Sequence, residues 1–299
     1  MFLSSRRQLA RCVLACAMVL SASAHGQSAP AAADSEFEQA RDAALAHQQA
    51  GPRDISLGDQ ARIALPAGYA FIPKAEASRL MQAMGNRVGD GFYGLIIGDR
   101  LDGFVSVRFD SAGYIKDDDA RDWDADALLK NLKEGTEEAN KDRHARGMPE
   151  FVVEGWVEKP AYDAATHRLV WSASTHDKDA ASGRAQGVNY NTYLLGRDGY
   201  LSLNLVTELA TVEKEKPAAR ELLAAASFID GKRYADFNAS TDKVAEYGLA
   251  ALVGGIAAKK LGLLAMAGVF LAKAWKLIAV AVIALGAGAK KIFGDRDKA

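Results

Sequence analysis

A long apolar stretch near the C-terminus limits most strongly how this chain can fold. Between residues 247 and 289 the only charged residues are four lysines. Residues 261–289 are long enough for a helix that crosses a bilayer, which needs about 20 apolar residues. Lys273 and Lys276 lie three apart within it, so they can reach the interface together or line a helix–helix contact. We therefore expect residues 243–299 to form a membrane anchor and basic tail, as one transmembrane helix, a helical hairpin or an interfacial helix.

The N-terminus has the pattern of a cleavable secretory signal. Three arginines precede an apolar run at residues 12–20 that is too short to span a bilayer, and Ala22-Ser23-Ala24 follows as a cleavage site. We predict that residues 1–24 are removed after Ala24, with Ala22 as the second small residue of the site. The arginine pair also loosely matches a twin-arginine signal, so the export route stays open.

The charges of the chain are strongly partitioned. The overall net charge of −1, less the +3 of the first 24 residues and the +6 from Lys243 onward, leaves −10 for residues 25–242. An acidic middle argues against nucleic acid as a partner, because nucleic acid requires a basic surface. We expect a bacterial inner-membrane protein with its main domain in the periplasm, and the lipid bilayer as its partner. Another envelope protein, and a second copy bound through the anchor, are further candidate partners.

The middle of the chain is predicted to be one α+β domain at residues 52–242, after a flexible tether at residues 25–51. Strands joined by hairpins, with single helices between them, favour an antiparallel sheet over a parallel doubly wound one. Leu201, Leu203 and Leu205 alternate with polar residues, as in a half-buried strand. The predicted hairpins pair residues 55–57 with 63–65, 92–97 with 104–109, and 188–195 with 200–207, and further strands cover 151–158 and 168–175. The predicted helices cover residues 76–84, 126–146 and 217–226.

Motifs of known chemistry are absent from this sequence. It contains no dinucleotide-binding or phosphate-binding glycine loop, no nucleophile elbow and no zinc-binding H-E-x-x-H. The only cysteines, Cys12 and Cys16, belong to the predicted signal, and no two histidines have metal-ligand spacing. We therefore expect no cofactor and no metal, and we interpret His167 and the other histidines as solvated surface residues.

A run of aspartates at residues 117–126 partly matches a calcium loop. The glycine position of such a loop holds Ala127, and its final acidic position holds Lys133. Aspartates directly before a helix also cap its free N–H groups and meet the positive end of its dipole. We interpret the run mainly as helix capping.

An aromatic and polar group of residues is the best candidate for a binding surface. It lies on three predicted strands or beside them, although aromatic residues on strands more often pack across strands or in the core. Its members are Trp156, Tyr162, Asp163, Trp171, Asn189 and Asn191.

Several stretches from Pro52 onward resemble a bacterial family of predicted membrane-anchored proteins, known as domain of unknown function 2167. No single stretch is decisive, but their number and order make the resemblance specific. It implies a periplasm-facing domain with a C-terminal anchor, and it implies no catalytic residue or cofactor. The stretches are Leu65–Phe71, Gly113–Asp118, Gly155-Trp156, Pro160–Asp163, Asn189–Asn191, Leu195–Gly199, Phe228, Gly231–Phe237, Asp242-Lys243 and Tyr247–Ala251.

These observations favour a non-enzymatic envelope protein whose domain binds another envelope component near the membrane. One alternative is a membrane-anchored periplasmic enzyme, such as a hydrolase that uses carboxylates from distant parts of the chain. Another is a pore or oligomer formed by the lysine-bearing C-terminal helices.

Overall fold

Two antiparallel sheets and four helices make up the computed structural model, which describes residues 29–121, 123–179 and 186–254. The helices are α1 (Ala29–Ala46), α2 (Lys74–Ala83), α3 (Ala125–Ala145) and α4 (Val212–Ala225). The strands are β1 (Gln49–Ala50), β2 (Arg53–Leu57), β3 (Ala61–Leu65), β4 (Tyr69–Pro73), β5 (Phe92–Gly98), β6 (Phe104–Asp110), β7 (Phe151–Asp163), β8 (Arg168–Asp177), β9 (Gly187–Leu195), β10 (Tyr200–Glu208) and β11 (Ala226–Phe228). The large sheet has the order β1-β4-β5-β6-β10-β9-β8-β7, and the small sheet has the order β11-β3-β2. The predicted α+β class with an antiparallel sheet is confirmed.

The predicted hairpins form. In β9 and β10, Leu195 lies opposite Tyr200, and β5 pairs with β6 around the Asp102-Gly103 turn. Leu201, Leu203 and Leu205 are buried, while the residues between them are only half-buried. The alternation in the sequence therefore identified which side of β10 faces a core.

The front face of the large sheet, on which these leucines lie, carries an aliphatic core. Helix α4 and the small sheet cover this face, and most residues that meet there are leucine, isoleucine, valine and alanine. The chain segment that leads from β10 into α4 is held by Glu215, whose side chain is fully buried. Its carboxylate accepts hydrogen bonds from the backbone N–H groups of Asp102 and Gly103 and from the Thr207 hydroxyl.

The back face of the sheet has two separate covers. Helices α1 and α2 pack over β4, β5 and β6 through aliphatic residues and phenylalanine. Helix α3 and the chain from residue 243 to 254 pack over β8 and β9, and this second cluster is rich in tryptophan and tyrosine. We call the second cluster the aromatic layer.

Some element boundaries differ from the sequence-based predictions. Helix α4 begins at Val212 rather than near Pro217, because buried Val212 and Glu215 dock on the sheet ahead of the proline. Strand β7 continues past Glu158 and through Pro160, which an edge strand tolerates because its outer N–H groups need no ladder partner. Part of the segment predicted as a tether forms α1 and β1, and Ala40 and Ala44 are buried there.

The terminal predictions fall largely beyond the described residues. The signal with Ala22 and Ala24, and the apolar stretch after residue 254 with Lys273 and Lys276, lie outside the described ranges. Within those ranges, no helix combines the length and the apolar character that crossing a membrane requires.

Candidate functional site

The two tryptophans of the predicted binding surface belong to the aromatic layer. Trp156 and Trp171 form an edge-to-face pair with ring centroids 6.0 Å apart. The Trp156 indole donates a hydrogen bond to the carbonyl of Ala125, and the Trp171 indole donates one to the carbonyl of Leu252. Both indole N–H groups are therefore used inside the fold, and Trp171 is buried.

The two asparagines lie beside these tryptophans on the same face of the sheet. Asn191 is the cross-strand neighbour of Trp171, and Asn189 is the neighbour of Ala173, which also pairs with Trp156. Asn191 is buried and its amide donates to the carbonyl of Asn189. Asn189 is exposed, so it is the one of the two asparagines that a ligand can reach.

Tyr162 and Asp163 lie farther along β7, at its turn into β8. Asp163 accepts hydrogen bonds from the backbone N–H of Ala165 and the hydroxyl of Thr166. These bonds stabilise the turn and lower the pKa of the Asp163 carboxyl, with the Thr166 bond as the largest cause. The predicted surface is thus divided between the aromatic layer and this turn, and Tyr162 packs against the layer from the end of β7.

A stack of four rings stands beside the turn. Phe237 lies on Tyr114 with centroids 3.8 Å apart, Tyr114 lies on Tyr234 at 4.4 Å, and His167 lies on Tyr234 at 4.1 Å. Neighbouring ring planes differ by 30° or less. The Tyr234 hydroxyl donates to the carbonyl of Ile115, which fixes the middle of the stack. We call these four residues the ring stack.

A hydrogen-bonded chain of three side chains lies at the His167 end of the ring stack. The Tyr162 hydroxyl lies 2.7 Å from an oxygen of Asp117 and 3.1 Å from Nδ1 of His167. Burial raises the pKa of Tyr162 above its ordinary value, and the hydrogen bond to Asp117 raises it further. The phenol therefore keeps its proton at neutral pH. Asp117 and His167 are each partly exposed, at 27% and 30% of their side chains.

The loops that carry the ring stack are held together by ion pairs and a close backbone contact. Both oxygens of Asp242 accept from the Arg197 guanidinium, at 2.7 Å each. Lys232 pairs with Asp198 at 2.7 Å. Gly113 has a φ of 93°, and a Cβ there would lie 2.7 Å from the Lys243 carbonyl oxygen, so only glycine fits this position.

The chain after residue 243 is built into the same region. Ala245, Leu249, Leu252 and Val253 are buried in the aromatic layer. Asp119 accepts from the backbone N–H groups of Leu249 and Ala250, at 3.1 Å each. These are free N–H groups at the start of a helical segment, so Asp119 caps it. The segment predicted to begin the anchor thus starts as part of the folded domain.

Helix capping is confirmed for Asp124, which accepts from the N–H groups of Asp126 and Ala127 at the start of α3. Asp119 caps a second helical segment that is distant in sequence. Asp117 has another role, in the chain with Tyr162 and His167. Among the described residues, no group of three or more acidic, histidine or cysteine side chains could hold a metal ion.

No local sequence pattern groups the members of the ring stack with Asp117, and His167, which was predicted to be a solvated surface residue, stacks on Tyr234. A signal was nevertheless present, because Tyr114, Asp117, Tyr162, Tyr234 and Phe237 all belong to stretches that carry the family resemblance. Those stretches are far apart in sequence, and the fold brings them together at one end of the sheet.

The comparisons with known proteins bear on family and fold. The search of curated proteins found no match. Among solved structures, the chain is similar to the solution structure of cyanobacterial PsbP (CyanoP) from Synechocystis sp. PCC 6803. The two share 8% sequence identity with a TM-score of 0.35, and the similar region covers 61% of this chain and 91% of that chain. A similarity this distant supports no functional argument. The family described as protein of unknown function, DUF2167, matches residues 49–286. Because the match covers more than half of the sequence, the chain belongs to the DUF2167 family.

Proposed function

We propose that this chain is an exported protein of the bacterial inner membrane, anchored by its C-terminal apolar stretch, whose periplasmic domain binds an envelope component at the ring stack. One observation carries the proposal, namely that a single segment of chain builds the site and leads to the predicted anchor. Tyr234 and Phe237 are two of the four stacked rings, and residues 244–254 continue from them into the aromatic layer.

The start of the predicted anchor is held on the domain by directional contacts. Asp119 caps its helical beginning, and the Trp171 indole donates to the carbonyl of Leu252. Tyr114 and Val244 form a backbone bridge at the start of the same segment. A domain joined by a loose linker would turn freely above the membrane, whereas these contacts support the proposal of one preferred orientation. The ring stack would then lie on the membrane-proximal side of the domain.

Partial exposure makes the ring stack suitable for binding. Tyr114, Phe237 and His167 are half-buried, whereas Tyr234 between them is buried. Rings that are held in place by neighbouring rings lose little conformational entropy when a ligand covers them. Another envelope protein and a second copy of the chain are both candidates for the envelope component that covers the ring stack.

Membrane attachment is tested first, on full-length protein in bacterial membranes. We expect carbonate and high salt to leave the protein in the membrane fraction, because apolar burial is insensitive to charge screening. Protease added outside the inner membrane should digest the domain. Release of the intact protein by salt alone would refute the anchor.

Orientation is tested by fluorescent labels on cysteines introduced one at a time, in a chain without the two natural cysteines. Val244 is exposed in the segment that leads to the predicted anchor, whereas Arg53 is exposed on β2, which covers the opposite face of the sheet. A quencher carried by lipid should quench a label at Val244→Cys more strongly than one at Arg53→Cys. Equal quenching would mean that the domain turns freely, which would contradict a fixed membrane-proximal site.

A further inference from the structure

His167 has a backbone conformation that L-amino acids rarely adopt. Its φ is 53°, and it is the only described residue other than glycine with a positive φ. It closes the turn between β7 and β8, where the chain needs a left-handed residue and glycine is the usual choice. Histidine is tolerated there better than most residues, but at some cost in backbone strain. Non-glycine residues held in such conformations are typical of functional sites.

The hydrogen bonds around Tyr162 determine where the His167 ring carries its proton. An ionised Asp117 can only accept, so the hydroxyl proton of Tyr162 points to the carboxylate oxygen at 2.7 Å. The Tyr162 oxygen then accepts from Nδ1 of His167 at 3.1 Å. In the neutral ring Nδ1 therefore bears the hydrogen, and Nε2 is left with a lone pair.

The second ring nitrogen of His167 is not used by the contacts that hold the ring. One face of the ring lies on Tyr234, the Nδ1 edge contacts Tyr162, and 30% of the side chain is exposed. Nε2 has no hydrogen-bond partner among the described residues. The nearby carboxylates of Asp117, Asp119 and Asp163 are already hydrogen-bonded within the fold.

We infer that His167 is the centre of a saccharide-binding site, where Nε2 accepts a hydrogen bond from a sugar hydroxyl and the open ring face supports the sugar ring. A neutral hydroxylated ring supplies both a donor for Nε2 and an apolar C–H face for a flat aromatic surface. This inference rests on the proposed binding role and names the class of envelope component that the site takes.

The test uses full-length protein in detergent micelles, with two soluble probes, the trisaccharides of glucose and of N-acetylglucosamine. His167→Asn should weaken binding of the preferred trisaccharide by about fivefold or more, as expected for one lost hydrogen bond and a lost ring. Asparagine also tolerates a positive φ, so the turn should survive. Tyr162→Phe keeps the His167 ring but removes the hydrogen bond that fixes its tautomer. It should therefore weaken binding by a smaller factor than His167→Asn does. His144→Asn is the matched control, because His144 is an exposed histidine on α3, and it should bind like wild type.

A readout independent of any ligand is the tautomer, seen by 15N NMR of labelled histidine. In wild type His167 should carry its proton on Nδ1, and Tyr162→Phe should shift it toward Nε2, which free histidine prefers. The thermal midpoint of His167→Asn should stay near that of wild type if the imidazole serves binding. A large fall in midpoint with unchanged affinity would show a purely structural role and overturn the inference.

Other outcomes also decide the question. Failure of both trisaccharides to bind would overturn the saccharide site, while unchanged membrane attachment and orientation would leave the proposed function standing. Tighter binding of putrescine, which offers ammonium donors without a ring, would reassign the site to amines. Release of shorter sugars from either probe would show turnover rather than binding, and would also overturn the inference.

Discussion

The aliphatic core on the front face of the sheet and the aromatic layer on the back face cover neighbouring strands but are built differently. The aliphatic core joins regular strands to α4 and the small sheet, mostly through branched aliphatic side chains. The aromatic layer joins β8 and β9 to α3 and to irregular chain, and both its tryptophan pair and Tyr234 donate hydrogen bonds to backbone carbonyls. Apolar burial is non-directional and stabilises the whole fold, whereas directional bonds fix where loops lie. The first region therefore holds the domain together, and the second positions the candidate site and residues 243–254.

Each region also contains a carboxylate that accepts from two backbone N–H groups. Glu215 is fully buried on the front side, and Asp119 is exposed on the back side. Because desolvation strengthens hydrogen bonds and makes their loss expensive, the two should contribute very differently to global stability. The following predictions test this contrast, from the largest expected effect to the smallest.

Truncation in the aliphatic core should have the largest effect. Leu203 is 1% exposed at the centre of β10, so Leu203→Ala should lower the free energy of unfolding by about 3–4 kcal/mol through lost burial and a cavity. Leu209→Ala, at a residue 41% exposed, is the control and should change little. Denaturant unfolding measures both. Similar values for the two variants would mean that the front face is not the main core.

Loss of the buried carboxylate should come next. Glu215→Ala leaves the N–H groups of Asp102 and Gly103 without their acceptor and should cost about 2–3 kcal/mol. Glu215→Gln retains one acceptor oxygen and should lie between Glu215→Ala and wild type. The control is Glu213→Ala on the same helix, whose carboxylate is mostly exposed. If Glu213→Ala lowers the free energy of unfolding as much as Glu215→Ala does, burial of the Glu215 carboxylate is not the reason for the loss of stability.

Loss of the exposed carboxylate should act locally. Asp119→Ala removes the cap of the segment at residues 249–254 and should cost about 1 kcal/mol. Hydrogen exchange should speed up at Leu249 and Ala250, while β10 exchanges as in wild type. Asp118→Ala, which removes an exposed neighbouring carboxylate, is the control. Global unfolding of Asp119→Ala as severe as that of Leu203→Ala would contradict the division into two regions.

Loss of the ion pair between Arg197 and Asp242 should change the free energy of unfolding least. This change should also depend on pH. Hydrogen bonds from Arg197, then from the Asn238 backbone, hold the pKa of Asp242 well below its ordinary value. A depressed folded-state pKa stabilises the protein above the unfolded-state pKa of about 4, and this stabilisation is lost as the pH falls toward the folded-state pKa. The stability difference between wild type and Asp242→Asn should thus be constant from about pH 7 to 5 and shrink below about pH 4. If the stability difference between wild type and Asp242→Asn grows as the pH falls, the negative charge of Asp242 does not stabilise the fold.

Local patterns in the sequence predicted the regular parts of the fold. The leucine alternation of β10 identified its buried side, because this pattern depends on residues close in sequence. The capping role of Asp124 followed from its place directly before α3. The start of α4 was missed, since tertiary contacts of Val212 and Glu215 extend the helix ahead of Pro217.

The candidate site was decided by tertiary structure. Three segments that are far apart in sequence supply its rings, and no periodic pattern links them. They are the chain at Tyr114, the β7–β8 turn with Tyr162 and His167, and the chain at Tyr234 and Phe237. They meet because the sheet order places β6, β8 and β10 near the returning C-terminal chain. The same long-range packing built residues 243–254 into the domain, although their composition alone indicates an anchor. Composition records how apolar a segment is, whereas its position depends on which surface the rest of the fold offers for burial.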